Sequence, residues 1–535
     1  MANNSSAGVY ISESDQSQYG VLIPTTAGVL VGESAMGPVG EQTFVSSPRA
    51  FLNKFGPPNA SMGFLHYSAL AFLASRGNPG LFVTRVAPAA LYSGAVVRFD
   101  KTAATNTITS WNPGLPSYTT GYTFTATDLF AIYAQNPGAW ANGMSVKIYP
   151  NTNLAASVGA NYFFVEVYVG SSVIPAETHM VCLSLFVDGY GVQRNLAYYI
   201  NKNSSLIRVI QNMTNADFIA NPGNQFVTTV VAPTPLAGGT NGTRAQSGDF
   251  INAFDLYSDP EQVQVNLLIN GGLAVPEIQI AMDALCHTRR DCVSILDLPA
   301  DQQSVSAAVA YRRQQLMVDS SYSALYGSDP LIYDSANDIK LFAPASGYVA
   351  SCYAYTDNNF ASWYAPAGDD RGTIDAAQGL RVLYDQSDRD LLVDNQINPI
   401  RQFAEGGVKV WGADTLQVAP SALSNMNVRR LMNTMEYALA RAGRSSVFDP
   451  NDPTLWTKLY DIADRILAPI KNARGLYNYI IVVDVSNNPP SAQAAGDVYM
   501  DLYADPVIPA KRIHINAIVN KTGAKVSASY VNAAG

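Results

Sequence analysis

The segment AGVLVGESAMGPVGEQTFVSS, residues 27–47, opens with six small or apolar residues and then breaks into a glycine- and proline-containing loop. Residues 27–32 read as a short buried strand. The loop leads to a second strand at 43–45. Residues 48–55 open a helix behind Pro48, 64–75 read as an amphipathic helix, and 81–86 (LFVTRV) as another strand. Strand and helix alternate, so this part of the chain is α/β in texture.

Outward from there the character changes. Residues from about 95 to 240 are rich in Thr, Ser, Asn and Gly and carry alternating strands such as 145–149 and 163–169, the pattern of a mostly β insert. The Pro/Gly-rich run APTPLAGGTNGT, 232–243, marks its end. Alternation then resumes. Buried strands at 264–269 and 292–298 flank a helix at 276–286, with a second helix at 304–317, which predicts a parallel or mixed sheet.

The last third holds the clearest helices. Asn425 is placed to cap a helix with one apolar stripe, Val428, Leu431, Met432, Met435 and Leu439. Asp452-Pro453 starts another, which Pro469 is expected to end. Strands follow at 478–484, 497–503 and 512–520. Two short β-prone stretches, residues 8–11 and the tail beyond 520, have no core of their own. A lone strand is unstable in water, so each needs a partner sheet.

At 535 residues the chain is too long for one core. Only 14% of residues are charged and Tyr occurs 30 times, a weakly charged surface suited to being covered by partners. Net charge is 33 − 42 = −9, and no Lys/Arg run offers the electrostatic footprint that phosphates need. Neither a secretory leader nor an apolar run of membrane-spanning length is visible, which predicts a protein kept in a cytosol-like compartment. Cys182, Cys286, Cys292 and Cys352 are too scattered for a disulfide framework and read as buried thiols.

Chemistry is sparse. There is no phosphate loop, zinc-protease helix, nucleophile elbow or dinucleotide fingerprint, so no cofactor, metal or catalytic residue is assigned. The segment WYAPAGDDRG, 363–372, places Asp369, Asp370 and Arg371 in a tight turn. Adjacent residues on an extended segment point opposite ways, which argues against a shared-proton acid pair. Turn aspartates more often bond their own backbone.

With its continuation to Ile374, this segment resembles the W-x-A-P-A-G-x-x-R-G signature of contractile-tail sheath proteins, with Trp363, Pro366, Gly368, Arg371 and Gly372 at the matching positions. The segments at 27–47, FLNKFGPP (51–58), LFVTRVA (81–87), NPGAWANGMSVKI (136–148) and LAGGTNG (236–242) resemble further family motifs. So do PASGYVASCYAYTD (344–357), INPIRQFAEGGVKVWGADTL (397–416), NVRRL (427–431) and PAKRIHINAIVN (509–520). They are collinear over most of the chain.

The resemblance implies an α/β (α+β) multidomain subunit: mixed-sheet core domains, an inserted mostly-β domain and extended N- and C-terminal arms. The expected division is an arm at 1–20, core at 21–95, insert at 96–240, an α/β domain at 241–400, a tube-facing domain at 401–520 and an arm at 521–535. It also implies a structural, non-enzymatic subunit of a phage tail, assembled in the host cytoplasm into six-fold rings. Implied partners are neighbouring sheath subunits, tail tube, baseplate and tail-terminator proteins, with no direct nucleic-acid contact and no membrane insertion. Strand exchange between subunits would use Val9, Tyr10, Ile11, Ile513, Ile515, Val519, Val526 and Tyr530. Arg429, Arg430, Lys458 and Lys471 would face the tube. The alternatives are the sheath of a headless contractile injection system and, in another class, a virion-associated hydrolase using Asp369 or Asp370.

Overall fold

The computed structural model describes residues 26–77, 79–100, 102–111, 123–151, 162–183, 192–213 and 227–513. Strands β1 (Ala27–Gly32), β2 (Thr43–Val45) and β3 (Gly80–Arg85) form where the sequence predicts them. The helices Pro48–Phe55 and Leu65–Leu73 lie between them. Ser47 caps the first by accepting from the Ala50 N–H at 3.2 Å, with Pro48 in the first turn.

The insert follows as β4 (Gly94–Asp100), β5 (Thr105–Trp111), β6 (Asp128–Ala134), β7 (Met144–Pro150), β8 (Phe163–Val169), β9 (Glu177–Val181), β10 (Ile207–Gln211) and β11 (Val231–Pro235). These make two antiparallel sheets, ordered β10-β6-β4-β5 and β11-β7-β8-β9. Ala95, Val97, Phe130 and Ile132 of one sheet share a core with Val146, Ile148, Val165 and Val167 of the other, so the insert is a β-sandwich.

The chain then returns to the first sheet through β12 (Leu267–Ile269), β13 (Val293–Asp297) and β14 (Ser323–Gly327). A hairpin, β15 (Pro330–Asp334) and β16 (Ile339–Phe342), and the short β17 (Gly379–Leu380) form a side sheet. Strands β18 (Ile397–Phe403) and β19 (Gly407–Val410) complete an eight-stranded sheet in the order β19-β18-β14-β13-β12-β1-β3-β2. The pairings β3–β1–β12–β13–β14–β18 are parallel, while β2 and β19 run antiparallel at the two edges. The pleat explains the apolar run at the start: Leu30 faces one core, with helices Leu65–Leu73 and Ala345–Asn359, while Val29 and Val31 face the other, with Ser247–Asp255 and Pro276–Arg289. The result is a three-layer α/β/α body.

The C-terminal module consists of helices Met426–Gly443 and Pro453–Asn472 packed under a two-stranded sheet, β20 (Leu476–Val482) with β21 (Asp501–Pro506).

Four expectations change. The boundary at 400/401 falls inside β18, and the main sheet continues through β19 because Ile400 and Val410 are core residues. Pro469 does not end its helix, which runs on to Asn472. Its ring forfeits the N–H bond to the Arg465 carbonyl, but its own carbonyl still accepts from Ala473 at 2.9 Å. Asn425 precedes its helix without capping it, its side-chain amide donating to Ala422 O instead. The helix at 304–317 is a short α segment, Val305–Ala310, continued by a π-helical turn, Tyr311–Leu316. The expected final strand lies mostly in residues 514–520, outside the described residues, and 512–513 are not in a strand.

Candidate functional site

The signature loop joins the main sheet to the C-terminal module. Gly368 sits at φ +92°, in the left-handed region that favours glycine. Its N–H donates to Val410 O at 3.0 Å, and Gly372 closes the turn with its N–H on Gly368 O at 3.0 Å. A side chain at Gly372 would meet Val410 O at 2.7 Å. Val410 donates back to Gly372 O, and Ile374 to Val408 O, so the loop is laced to β19. Pro366 is buried beneath it. Trp363 reaches the other way: its indole N–H donates to Ala473 O at 3.1 Å, and its ring packs on the Leu431, Met435, Leu467 and Ile470 cluster.

Arg371 braces the loop internally. Its Nε donates to Ala365 O at 2.9 Å, and its guanidinium lies 5.3 Å from the Phe360 ring and 5.4 Å from the Tyr364 ring. Asp369 forms an ion pair with Lys409. Asp370 is exposed and makes no hydrogen bond or ion pair among the described residues. Lys409 thus engages Asp369 and not Asp370, while both carboxylates line a cleft of about 360 Å³ shared with Arg371 and Asp375.

In an open α/β sheet, ligands bind beyond the carboxyl ends of the strands where the strand order reverses. Here that point lies between β1 and β12, and it is filled. Gly271 and Gly272, just past β12, approach so closely that a Cβ would lie 2.6 Å from Leu30 Cδ1 and from Pro344 Cγ, respectively. Beside them Asp297, fully buried, accepts from the Ser346 N–H and Oγ–H at 2.6 Å each and from the Gly272 N–H at 2.9 Å. Asn270 and Gln279 bond to each other and to the Asp297 backbone, and Tyr311 donates to Gln279 at 2.8 Å. Burial pushes the Asp297 carboxyl up to about 7, against the opposing pull of the Ser346 and Gly272 donors. This network ties Ala345–Asn359 to the sheet.

A cleft of about 730 Å³ lies at the amino ends of β1, β12 and β13, roofed by the two C-terminal helices. Its lining includes Thr26, Asn266, Trp363, Arg430, Tyr437 and Ile466. Arg430, expected at the tube, is buried, paired with Asp357 at 2.5 Å and stacked 4.9 Å from the Tyr353 ring. Arg429 is buried too. It bonds Asn433 at 2.8 Å and Glu436 at 3.2 Å and lies over the Tyr322 ring. Both arginines fix the helix to the α/β body, so neither is free to meet a tube. Lys458 and Lys471 do remain exposed, bonded to Asp449 at 2.7 Å and to Asn478 at 3.0 Å.

Of the strand-exchange candidates, Val9, Tyr10, Ile11, Ile515, Val519, Val526 and Tyr530 lie outside the described residues, and Ile513 is 82% exposed. Of the two strands expected to form the receiving sheet, 497–503 and 512–520, the first overlaps β21 and the second lies mostly outside the described residues. β21 pairs with β20, and no third strand pairs with either among the described residues. The inner face of β20–β21, Tyr479, Ile481, Leu502 and Ala504, packs on the helices. On the outer face Ile480 and Tyr503, cross-strand partners in register, are 57% and 61% exposed.

Sequence reading missed Arg85. It is fully buried at the end of β3, donating to the carbonyls of Ser34, Gly37 and Pro137 at 2.7–2.8 Å. It thereby pins the 33–40 loop and the β-sandwich to the main sheet. Burial lowers its pKa to about 10, which still leaves it charged at neutral pH. The motifs at 136–148 and 236–242 meet at the same neck, where Asn142 bonds Ser93 and both the N–H and the carbonyl of Gly239.

Comparison with known proteins places these features. The family model for the phage tail sheath protein central domain matches residues 242–416, and that for the phage tail sheath C-terminal domain matches 418–520. The tail sheath protein of Vibrio phage KVP40 is 28% identical over 339 residues, 58% of this chain and 50% of that protein. The tail sheath protein of Enterobacteria phage T4 is 25% identical over 437 residues, 74% of this chain and 65% of that protein. The chain thus spans about half to two-thirds of these relatives. Among solved structures, a sheath tail protein from Desulfitobacterium hafniense superposes with TM-score 0.56 at 14% identity, covering 93% of this chain and 96% of that one. The sheath complex of an extracellular contractile injection system in its contracted state gives 0.54 at 15%, covering 97% and 99%. The fold is shared with these two, and the collinear motifs, the two family models and the curated relatives agree: the chain belongs to the phage tail sheath family, the sheath proteins of contractile tails.

Proposed function

We propose that this chain is the repeating subunit of a contractile phage tail sheath, stacking as six-membered rings in a helical lattice around an inner tube. Contraction to a wider, shorter lattice drives the tube through the host envelope for genome ejection. Subunits move largely as rigid bodies between two packings, and the energy is that of assembly, held behind a kinetic barrier. The role is structural and needs no cofactor. Neighbouring subunits, tube, baseplate and terminator are the partners. Lys458 and Lys471 are the residual candidates for the tube-facing surface.

One observation carries the reading: β20–β21 is a two-stranded sheet with an apolar outer pair and no further strand on either edge among the described residues. Open strand edges are templates for added strands. Arms of neighbouring chains, residues 8–11 and 525–531, would complete it by β-augmentation, whose main-chain bonds hold register while subunits rotate. Deleting residues 521–535 is expected to leave the circular dichroism spectrum and melting temperature close to wild type while abolishing tubes and rings in negative-stain electron microscopy. Normal polymers from the truncated chain would refute arm exchange.

A further inference from the structure

We propose that Cys286 and Cys292 are a built-in oxidative cross-linking site, two thiols held by the fold so that a peroxide joins them as a disulfide within one subunit. Cys286 lies in the last turn of the helix Pro276–Arg289 and Cys292 immediately precedes β13. Both side chains are fully buried, with the sulfurs 3.4 Å apart. Reaching a bonded length of about 2.05 Å requires a closure of about 1.4 Å.

The backbone on either side is already fixed. Arg290 takes the left-handed conformation at φ 62° and donates to Cys286 O at 2.9 Å. Arg289 grips both carboxylate oxygens of Asp291 at 2.9 and 2.7 Å and bonds the carbonyls of Tyr257 and Val263. The Cys292 carbonyl accepts from Asn433 at 3.1 Å, which connects the pair to the C-terminal module. The other two cysteines have oxygen neighbours instead: Cys182 points at Arg194 O and Cys352 at Thr373 O.

The chemistry balances with one hydrogen peroxide. A thiolate attacks the peroxide oxygen, forming a sulfenic acid as the O–O bond breaks and water leaves. The second sulfur attacks the first, the S–S bond forms, and the hydroxyl departs with a proton as a second water. Burial keeps Cys286 in the neutral thiol form, so reaction proceeds through local opening and is slow. The bond would staple the helix end to β13 at the wall of the junction cleft, where Asp291 and Val293 both lie.

The test uses the full chain, freed of reductant, treated with hydrogen peroxide in native buffer, then denatured and alkylated for mass spectrometry. We expect two of the four thiols to escape alkylation, an intact mass lower by two hydrogens before alkylation, and one linked peptide pair, 286 with 292, reversed by dithiothreitol. Cys286→Ser should lose the linked peptides while Cys182 and Cys352 stay alkylatable. Four alkylated thiols, overoxidation without linkage, or a link formed only in denaturant would each overturn the proposal.

Discussion

Arg371 and Asp370 are neighbours in one turn with opposite situations. The arginine carries a carbonyl hydrogen bond and two aromatic faces, and the aspartate stands exposed without a partner among the described residues. Replacing Arg371 with Ala removes a bond worth about 1 kcal/mol and stacking worth a similar amount, so urea denaturation should show a loss of about 1–3 kcal/mol. Asp370→Asn should stay within about 0.5 kcal/mol. Any effect of that variant then belongs to assembly, readable as polymer yield at unchanged stability. A destabilisation by Asp370→Asn matching that of Arg371→Ala would mean the turn is held by charges that the geometry does not show. Turn chemistry made this loop's structural character legible, since Gly and Pro bound it and adjacent acids diverge. The destination of Trp363 was not legible, because Ala473 is more than a hundred positions away and only the fold brings it near. Arg429 and Arg430 failed for a related reason: periodicity finds one apolar stripe, but this helix begins between two bodies and is covered on its charged side as well.

The same limit operates on whole elements. Strand β1 carried its pattern openly as a short apolar run, because both of its faces are buried, and the two C-terminal helices carried theirs as an apolar stripe of period 3.6. Helix Ala345–Asn359 carries no stripe, being buried on nearly every side, with small residues where neighbours come closest. Gly347 is the tightest of these points: an added Cβ would lie 2.5 Å from Ser68 Cα and 2.9 Å from Ser68 O in helix Leu65–Leu73. Backbone atoms cannot turn aside as a side chain can, so Gly347→Val must push the two helices apart. Overpacking of this kind costs about 1–3 kcal/mol, and the denaturation midpoint should fall accordingly. Gly248, in helix Ser247–Asp255, has open space where its Cβ would stand. Gly248→Ala should therefore be neutral or gain up to about 1 kcal/mol through lower unfolded-chain entropy. Equal effects at the two glycines would show that helix propensity, and not contact, governs both.

Across the molecule, two carboxylates in different modules titrate in opposite senses and should shape how stability follows pH. Glu177, in the β-sandwich, would be raised by burial alone. Hydrogen bonds from His179 at 2.9 Å, Ser204 at 2.5 Å and Ser205 at 2.6–2.9 Å outweigh that and bring it down to about 2 from 4.5. A lowered carboxyl stabilises above its unfolded value, so this contribution is complete above pH 4.5 and disappears as pH falls toward 2. Asp297, in the α/β body, is raised by burial from 3.8 to about 7. Its contribution is complete below pH 3.8 and is lost as pH rises through 7, because the native state must then hold a buried charge. Asp283, Asp291 and Asp329 are raised by burial as well and lean the same way. The urea midpoint of the full chain should accordingly be highest near pH 4–5 and decline on both sides. Glu177→Gln should flatten the acid limb between 2 and 4.5 and leave the other intact. Asp297→Asn will cost stability at every pH, since its amide would meet the Gly272 N–H, yet it should flatten the limb between 4 and 7. The slope, not the height, carries the information: an unchanged slope in Asp297→Asn would assign that limb to the other buried aspartates and leave Asp297 ionised in its cradle of donors.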